Sequence, residues 1–429
     1  MIPIVNFDEL APEEILNRDI RAEEQVDAAV DAVIAEVRAR GDAALRACTR
    51  RFDGVELQEL QVAPEELDAA FAALRPDFLE TLKQAAENIR RFHEQQIHRD
   101  FVLTDRPGIV MGQRYTPIER VGICVPRSPE AFPSTILMNV IPAKLAGVRE
   151  IVLVTPPDQA GRVSPEALAA ARIAGADRIF KVGGAQAVAA LAYGTESIPR
   201  VDKIVGPGGI FVATAKRKVF GQVAIDMIAG PSEILVLADG NSNPAWVAAD
   251  LLSQAEHDVL ASAVLVTDSP ELAGAVQQEI ERQLPTLPRA AVARRSIDEN
   301  GKIIVTDNLD KAVLSANRIA PEHLELCVDD PFALLPRIRN AGSIFLGRMA
   351  PEALGDYFAG PNHTLPTSGT ARFSSPLGVD DFVKKSSFLY YDHAALAPVA
   401  GRIADFARSE GLEAHARSVL IRTEGGAAQ

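Results

Sequence analysis

Residues 150–184 read EIVLVTPPDQAGRVSPEALAAARIAGADRIFKVGG. The apolar run EIVLVTP has strand length and composition, and an amphipathic helical stretch, Pro165–Ala174, follows it. A second short strand, RIFKV, then runs into Gly183-Gly184. The same alternation extends both ways. VGICVP precedes a helix over Ser134–Ala146, and DKIVG precedes one over Ile210–Val219. Further on, EILVLAD leads to Trp246–His257, ASAVLVTD to Pro270–Gln283, and KIIVTD to Asn308–Asn317. Such alternation predicts parallel sheets with helices on both faces. There are too many strands for one ordinary sheet, so the expected fold is α/β with two Rossmann-like units. A wholly helical region is expected over 22–98, with Val26, Ala29, Val30, Val33 and Ile34 on one stripe, a stop at Gly41 and a long helix from Pro76 to Ile97. A strand, SSFLYYD, and two helices over His393–Val419 close the chain. The expected division is an N-terminal extension (1–21), a discontinuous first α/β domain (22–123 and 232–378), a second α/β domain (124–231), and a C-terminal segment (379–429).

A chain of 429 residues with a net charge of -14 exceeds what one core supports, and it lacks the basic footprint that nucleic acid or an anionic membrane surface requires. No apolar run reaches membrane-spanning length, and MIPIVNFDELAPEE is acidic, without the basic n-region and apolar core expected of a signal peptide. Cys48, Cys124 and Cys327 are far apart, as suits reduced core thiols in a cytoplasm.

The polar stretch GDYFAGPNHTLPTSGTARFSSP, residues 355–376, has neither helical nor strand periodicity. Its density of polar groups among Tyr357, Phe358, Leu365 and Phe373 marks an ordered, functional loop. Gly183-Gly184 and Gly206-Pro207-Gly208-Gly209 open helices and could cradle phosphate or simply pack tightly; neither matches the G-x-G-x-x-G fingerprint. His93 and His98 lie on a charged helix and read as solvated. Gln254 and His257 stand at i and i+3 on a helix, and Glu322-His323 at a strand edge could pair water activation with a general base. Gln254, His257, Asp356 and His415 together would suit zinc or a similar borderline divalent ion.

The stretches RVGICVP, PSTILMNVIPAKLAGV, KVGGAQAVAALAYGTESIPRVDKIVGPG, AIDMIAGPSEILVLAD, DLLSQAEHD, APEHLEL and the 355–376 loop resemble histidinol dehydrogenase from about residue 20 to the C-terminus. The resemblance implies a homodimer with shared active sites, each completed by the C-terminal segment of the other subunit. It implies one zinc per subunit on Gln254, His257, Asp356 and His415. Substrate contacts fall on Ser232, Gln254, His257, Glu322, His323, Asp356, Glu410 and His415. The implied reaction is a four-electron oxidation of L-histidinol through a bound aldehyde to L-histidine by two NAD. His323 would be the general base and Glu322 the activator of water.

Cys124, Gln186 and Gly209 match cofactor-side positions. Here the chain departs from the family pattern: Cys124-Val125-Pro126-Arg127-Ser128 replaces an aromatic-Val-Pro-Gly-Gly run, and Gly209 stands where the family has a cofactor-contacting asparagine. Arg127 adds bulk where glycine admits backbone to a phosphate, or it could itself pair with one. A changed cofactor preference and a zinc- and histidinol-binding homologue without turnover therefore stand beside the dehydrogenase reading.

Overall fold

In a computed structural model of the chain, residues 1–10, 24–126 and 132–424 are described. They form two compact units, Met1–Gln96 with Ile118–Phe382, and Ile97–Pro117 with Val383–Gln429, and each is described by itself. Arg127 and Ser128, and most of the expected N-terminal extension, lie outside the described residues.

The first unit holds two wholly parallel sheets. One runs β1 (Ile4–Asn6), β11 (Lys302–Val305), β10 (Ser262–Thr267), β9 (Glu233–Ala238), β12 (His323–Cys327) and β13 (Ser343–Leu346). The other runs β6 (Arg178–Phe180), β5 (Glu150–Val154), β4 (Arg120–Cys124), β7 (Lys203–Val205) and β8 (Ala224–Ile225). Every residue of β9 and of β12 is buried, as in a sheet covered by helices on both faces. The α/β expectation therefore holds, and its strand–helix order is reproduced along the chain.

The helical region is interrupted. Helices span Glu24–Arg40, Asp42–Asp53, Pro64–Ala73 and Pro76–His93, but residues 54–63 are not helical. There Val62 N–H donates to the Ile179 carbonyl and Lys181 N–H to that of Leu60, so the segment borders the edge strand β6. No periodicity signals such a border, because the edge it covers lies more than a hundred residues away. Gly41 ends the first helix at φ 53°, as expected. His93 is not solvated: it is fully buried, its Nδ1 2.7 Å from Gln96 Oε1. The amino-terminal residues also join the core, with Ile2 fully buried beside β1.

The second unit is an antiparallel sheet of β14 (Val383–Tyr391), β3 (Ile109–Pro117) and β2 (Phe101–Leu103), with helices His393–Ser409 and Glu413–Leu420. Residues 97–117, read from sequence with the first α/β domain, thus cluster with the C-terminal segment. Among the described residues, no helix is long and apolar enough to cross a membrane.

Candidate active site

In the six-stranded sheet, β10 and β11 lie on one side of β9 and β12 on the other. The β9–β12 register sets Ile234 opposite His323. Glu233, one residue earlier, holds the two residues that read as an acid–base pair. Its N–H donates to Glu322 Oε2 at 2.9 Å, and its carbonyl lies 3.0 Å from His323 Nδ1. A carbonyl only accepts, so Nδ1 carries a proton in either charge state, and Nε2 is the atom that gains or gives up the second one.

That Nε2 is buried without a hydrogen-bond partner among the described residues, 3.6 Å from Asp356 Oδ1 and 3.9 Å from Glu352 Oε1. Burial disfavours the imidazolium, but the carboxylates of Glu322, Asp356 and Glu352 outweigh it and push His323 up to about 10. Burial raises Glu322 to about 8 against the partial relief of His323. Burial also raises Glu352, with the Asp356 charge adding, to about 7. Asp356 goes the other way: burial opposes its ionisation, but His323 and the charge of His363 hold it down to about 2.

His323, Glu352 and Asp356 bring one ligand atom each within 4.8 Å of one another. Asp356 sits in a single π-helical turn, Gly355–Ala359, a feature frequent at functional sites. The loop is otherwise irregular and packed inward, with Asn362 donating to the Met138 carbonyl at 2.6 Å and Thr364 buried. His363 Nδ1 lies 3.0 Å from the Asp356 carbonyl, and a cavity of about 230 Å³ beside it is lined by His323, Asp356 and His363.

Gln254 lies near the end of the helix Pro244–Ala255. The helix Pro244–Ala255 stops two residues before His257, so the pair does not share a helical face as the spacing suggested. It shares a closing turn instead, with His257 N–H donating to the Gln254 carbonyl at 3.1 Å. Gln254 Oε1 is buried and has no hydrogen-bond partner among the described residues. Its neighbour Ser253 donates to Glu352 Oε2 at 3.1 Å. His257, exposed at its rim, is held below the usual imidazole value by desolvation, with Asp356 opposing, and so offers a neutral nitrogen.

In the five-stranded sheet the order reverses at β4, whose neighbours β5 and β7 lead their helices off in opposite directions along the chain. A switch point of this kind opens a crevice at the carboxyl ends of the strands. The crevice is present, about 140 Å³, lined by Cys124 at the end of β4, Val125 and Pro126 after it, Pro156 after β5, Gly183 and Gly184 after β6, and Pro207, Gly208 and Gly209 after β7.

The family profile of histidinol dehydrogenase matches residues 16–423. The chain is 56% identical to the histidinol dehydrogenase of Geobacter metallireducens over 414 residues, 96% of this chain and 95% of that one. It is also 56% identical to that of Geobacillus kaustophilus over 404 residues, 94% and 95% of the two chains. The crystal structure of histidinol dehydrogenase from Elizabethkingia anophelis superposes with a TM-score of 0.94 at 36% identity, covering 99% of this chain and 98% of that one. The chain belongs to the histidinol dehydrogenase family. It is accordingly an enzyme, an oxidoreductase.

Of the positions that the family resemblance points to, the first unit brings His323 and Asp356 together beside Glu322, and His257 feels the charges of Asp356 and His323. Ser232 lies half-buried just before β9, its carbonyl accepting from Ser262 N–H at 3.0 Å. Glu410 and His415 belong to the second unit, where Glu410 caps the helix His393–Ser409, His415 lies on Glu413–Leu420, and both are exposed. Cys124 and Gly209 line the crevice, and Gln186 is buried on the helix Gly184–Tyr193 between the lining residues Gly184 and Ala187. Glu352 escaped the sequence reading. Its signal was its place four residues before Asp356, one helical turn away, in a stretch that reads as the end of an ordinary helix.

Proposed function

We propose that this member of the histidinol dehydrogenase family oxidises L-histidinol to L-histidine through the bound aldehyde with two NAD, and that a zinc ion serves its substrate site. The names of its close relatives support the substrate, and one observation carries the site: an ionised Asp356, a neutral His257 and an acceptor-only Gln254 Oε1 left buried without a donor. A buried oxygen of that kind costs about 1–3 kcal/mol unless something engages it, and a divalent cation fits all three donors. His415 of a second copy would complete the set, and Glu410 would stand with it, in a homodimer with shared sites. When bound, zinc supplies a Lewis-acid seat for the amine and imidazole nitrogens of the substrate and no redox chemistry.

The chain's own residues account for the proton steps. In its neutral form, His323 takes the hydroxyl proton on Nε2 as hydride leaves the carbinol carbon for the nicotinamide, giving the aldehyde and the first NADH. Glu322, raised to about 8 by burial, then accepts a proton from water as it adds to the aldehyde. His323, having released its first proton to solvent, takes the remaining hydroxyl proton of the hydrate anion as a second hydride leaves for a second NAD, giving the carboxylate. Ser232 lies in the approach to Glu233 and would bind substrate there. The crevice at Cys124, Gln186 and Gly209 is read as the dinucleotide side. The buried, unpaired thiols support a cytoplasmic protein.

Purified zinc-loaded protein given L-histidinol and NAD should form two NADH per histidine; formation of none would discard the proposal. The substitution His323→Ala is expected to lower kcat by about 10²–10⁴-fold, the scale of a lost general base, with zinc retained at one per subunit. Loss of the metal instead would make His323 a ligand, the arrangement its proximity to Glu352 and Asp356 offers as a rival. His257→Ala should release zinc at a chelator concentration that leaves the parent loaded, as read by atomic absorption, and full retention would refute the ligand set. Gly209 has φ -63°, and a Cβ there meets nothing within 4 Å. Gly209→Asn should therefore fit and lower KM for NAD about fivefold, the worth of one hydrogen bond near 1 kcal/mol; an unchanged KM would show that the cofactor does not reach this position.

A further inference from the structure

The crevice wall after β7 begins at Gly206, whose φ of 102° only glycine adopts freely. A Cβ at this position would collide with the Cys124 carbonyl oxygen, so the turn is pressed against the end of β4. Both main-chain groups of Gly206 are held by buried charges. Its N–H donates to Asp226 Oδ2 at 2.8 Å, and its carbonyl accepts from Lys216 Nζ at 2.9 Å. Lys216 and Asp226 pair with each other, with side chains only 3% and 1% exposed. Lys216 is carried by the helix Ile210–Val219 that the turn itself opens, and Asp226 directly follows β8.

A buried ion pair adds little net stability, because desolvating two charges offsets their attraction. Its geometry is more telling. Lys216, Asp226 and the main chain of Gly206 close a triangle around this single residue, and the residues lining the crevice, Pro207, Gly208 and Gly209, follow it directly. Asp226 also ties the turn to the other site along the chain. Its Oδ1 accepts from Met227 N–H at 2.6 Å. Residues 227–232 then lead to Glu233, the residue holding Glu322 and His323. The connecting segment is itself fastened: Gly230 N–H donates to Thr367 Oγ1 at 2.6 Å, and Ser368 N–H to Glu233 Oε1 at 3.1 Å.

We propose that Lys216 and Asp226 are positioning residues for the dinucleotide, clamping Gly206 so that the Pro207–Gly209 wall stands at the height the cofactor requires. The proposal rests on reading the crevice as the cofactor side. Neither residue touches the reacting atoms; both act through the turn.

The test uses zinc-loaded, full-length enzyme and two variants. Lys216→Met with Asp226→Asn removes both charges together, so neither is left buried and unpaired. Gly206→Ala keeps the pair and displaces the turn directly. Each should raise KM for NAD about tenfold, while KM for L-histidinol and the zinc content stay at parental values. Lys216→Arg, which keeps the cation, should recover most of the NAD affinity. A folded double variant with parental KM for NAD overturns the clamp, as does a loss shared equally between NAD and histidinol. Should the double variant not fold, Gly206→Ala decides by the same two criteria. A parent enzyme that shows no NAD binding by fluorescence titration overturns the cofactor reading itself, an outcome distinct from a parent that binds NAD beside variants that bind it equally well.

Discussion

The parallel pairing of β9 with β12 is the constraint on which the active-site chemistry depends. It sets Glu233 beside Glu322 and His323, so that one residue's N–H and carbonyl fix two side chains at once. The two bonds have opposite polarity and therefore give opposite assignments. The N–H stabilises Glu322 as an acceptor, and the carbonyl fixes the proton of His323 on Nδ1. Hydrogen bonds to charged groups are worth about 1.5–3 kcal/mol each, and here they are set by sheet register and not by a flexible side chain. A slip of one residue between the strands would turn both groups to the opposite face.

The two sheets present their working edges differently. The crevice of the five-stranded sheet lies at the carboxyl ends of its strands, at the reversal of strand order, where open α/β sheets generally bind ligands. The Glu322–His323 pair lies at the amino ends of β9 and β12. A chain that reaches from one edge to the other needs a connection of fixed length. Residues 226–233 provide it, anchored at Asp226, Gly230 and Glu233.

Much of this was legible in the sequence, and for reasons that can be named. Apolar runs such as ILVL and VLVT are buried on both faces, so strand length and composition located them without knowledge of their neighbours. β13, whose four residues are all only partly buried, and the short β1 gave no such signal, since edge strands need not be continuously apolar. The segment 54–63 was misread as helix because its partner edge is remote in sequence. His93 was misread as solvated because its helix carries charges on either side, while its own ring turns inward. Asp356 was legible from its loop. Glu352 was not, because a glutamate one turn from a helix end is ordinary until the fold places His323 against it.

Burial acts differently on the acids of this one pocket. Asp356 is held down to about 2, Glu352 rises to about 7 and Glu322 to about 8. Desolvation penalises all three, so it cannot separate them; the separation comes from what each one faces. Asp356 has His323 and His363 on its side, whereas Glu352 faces the Asp356 charge and Glu322 has only His323 and one backbone N–H to relieve it. Asp356 is therefore the permanent anion, suited to a cation, and Glu322 is the group that exchanges a proton near neutral pH. The thiols cannot share that work. Burial pushes Cys124 up to about 12, and burial with the Glu325 carboxylate pushes Cys327 higher still, so neither offers a thiolate to an aldehyde. An aldehyde held in this pocket, as the proposed reaction requires, would meet a carboxyl group and an imidazole, and the nucleophile those two groups can activate is water.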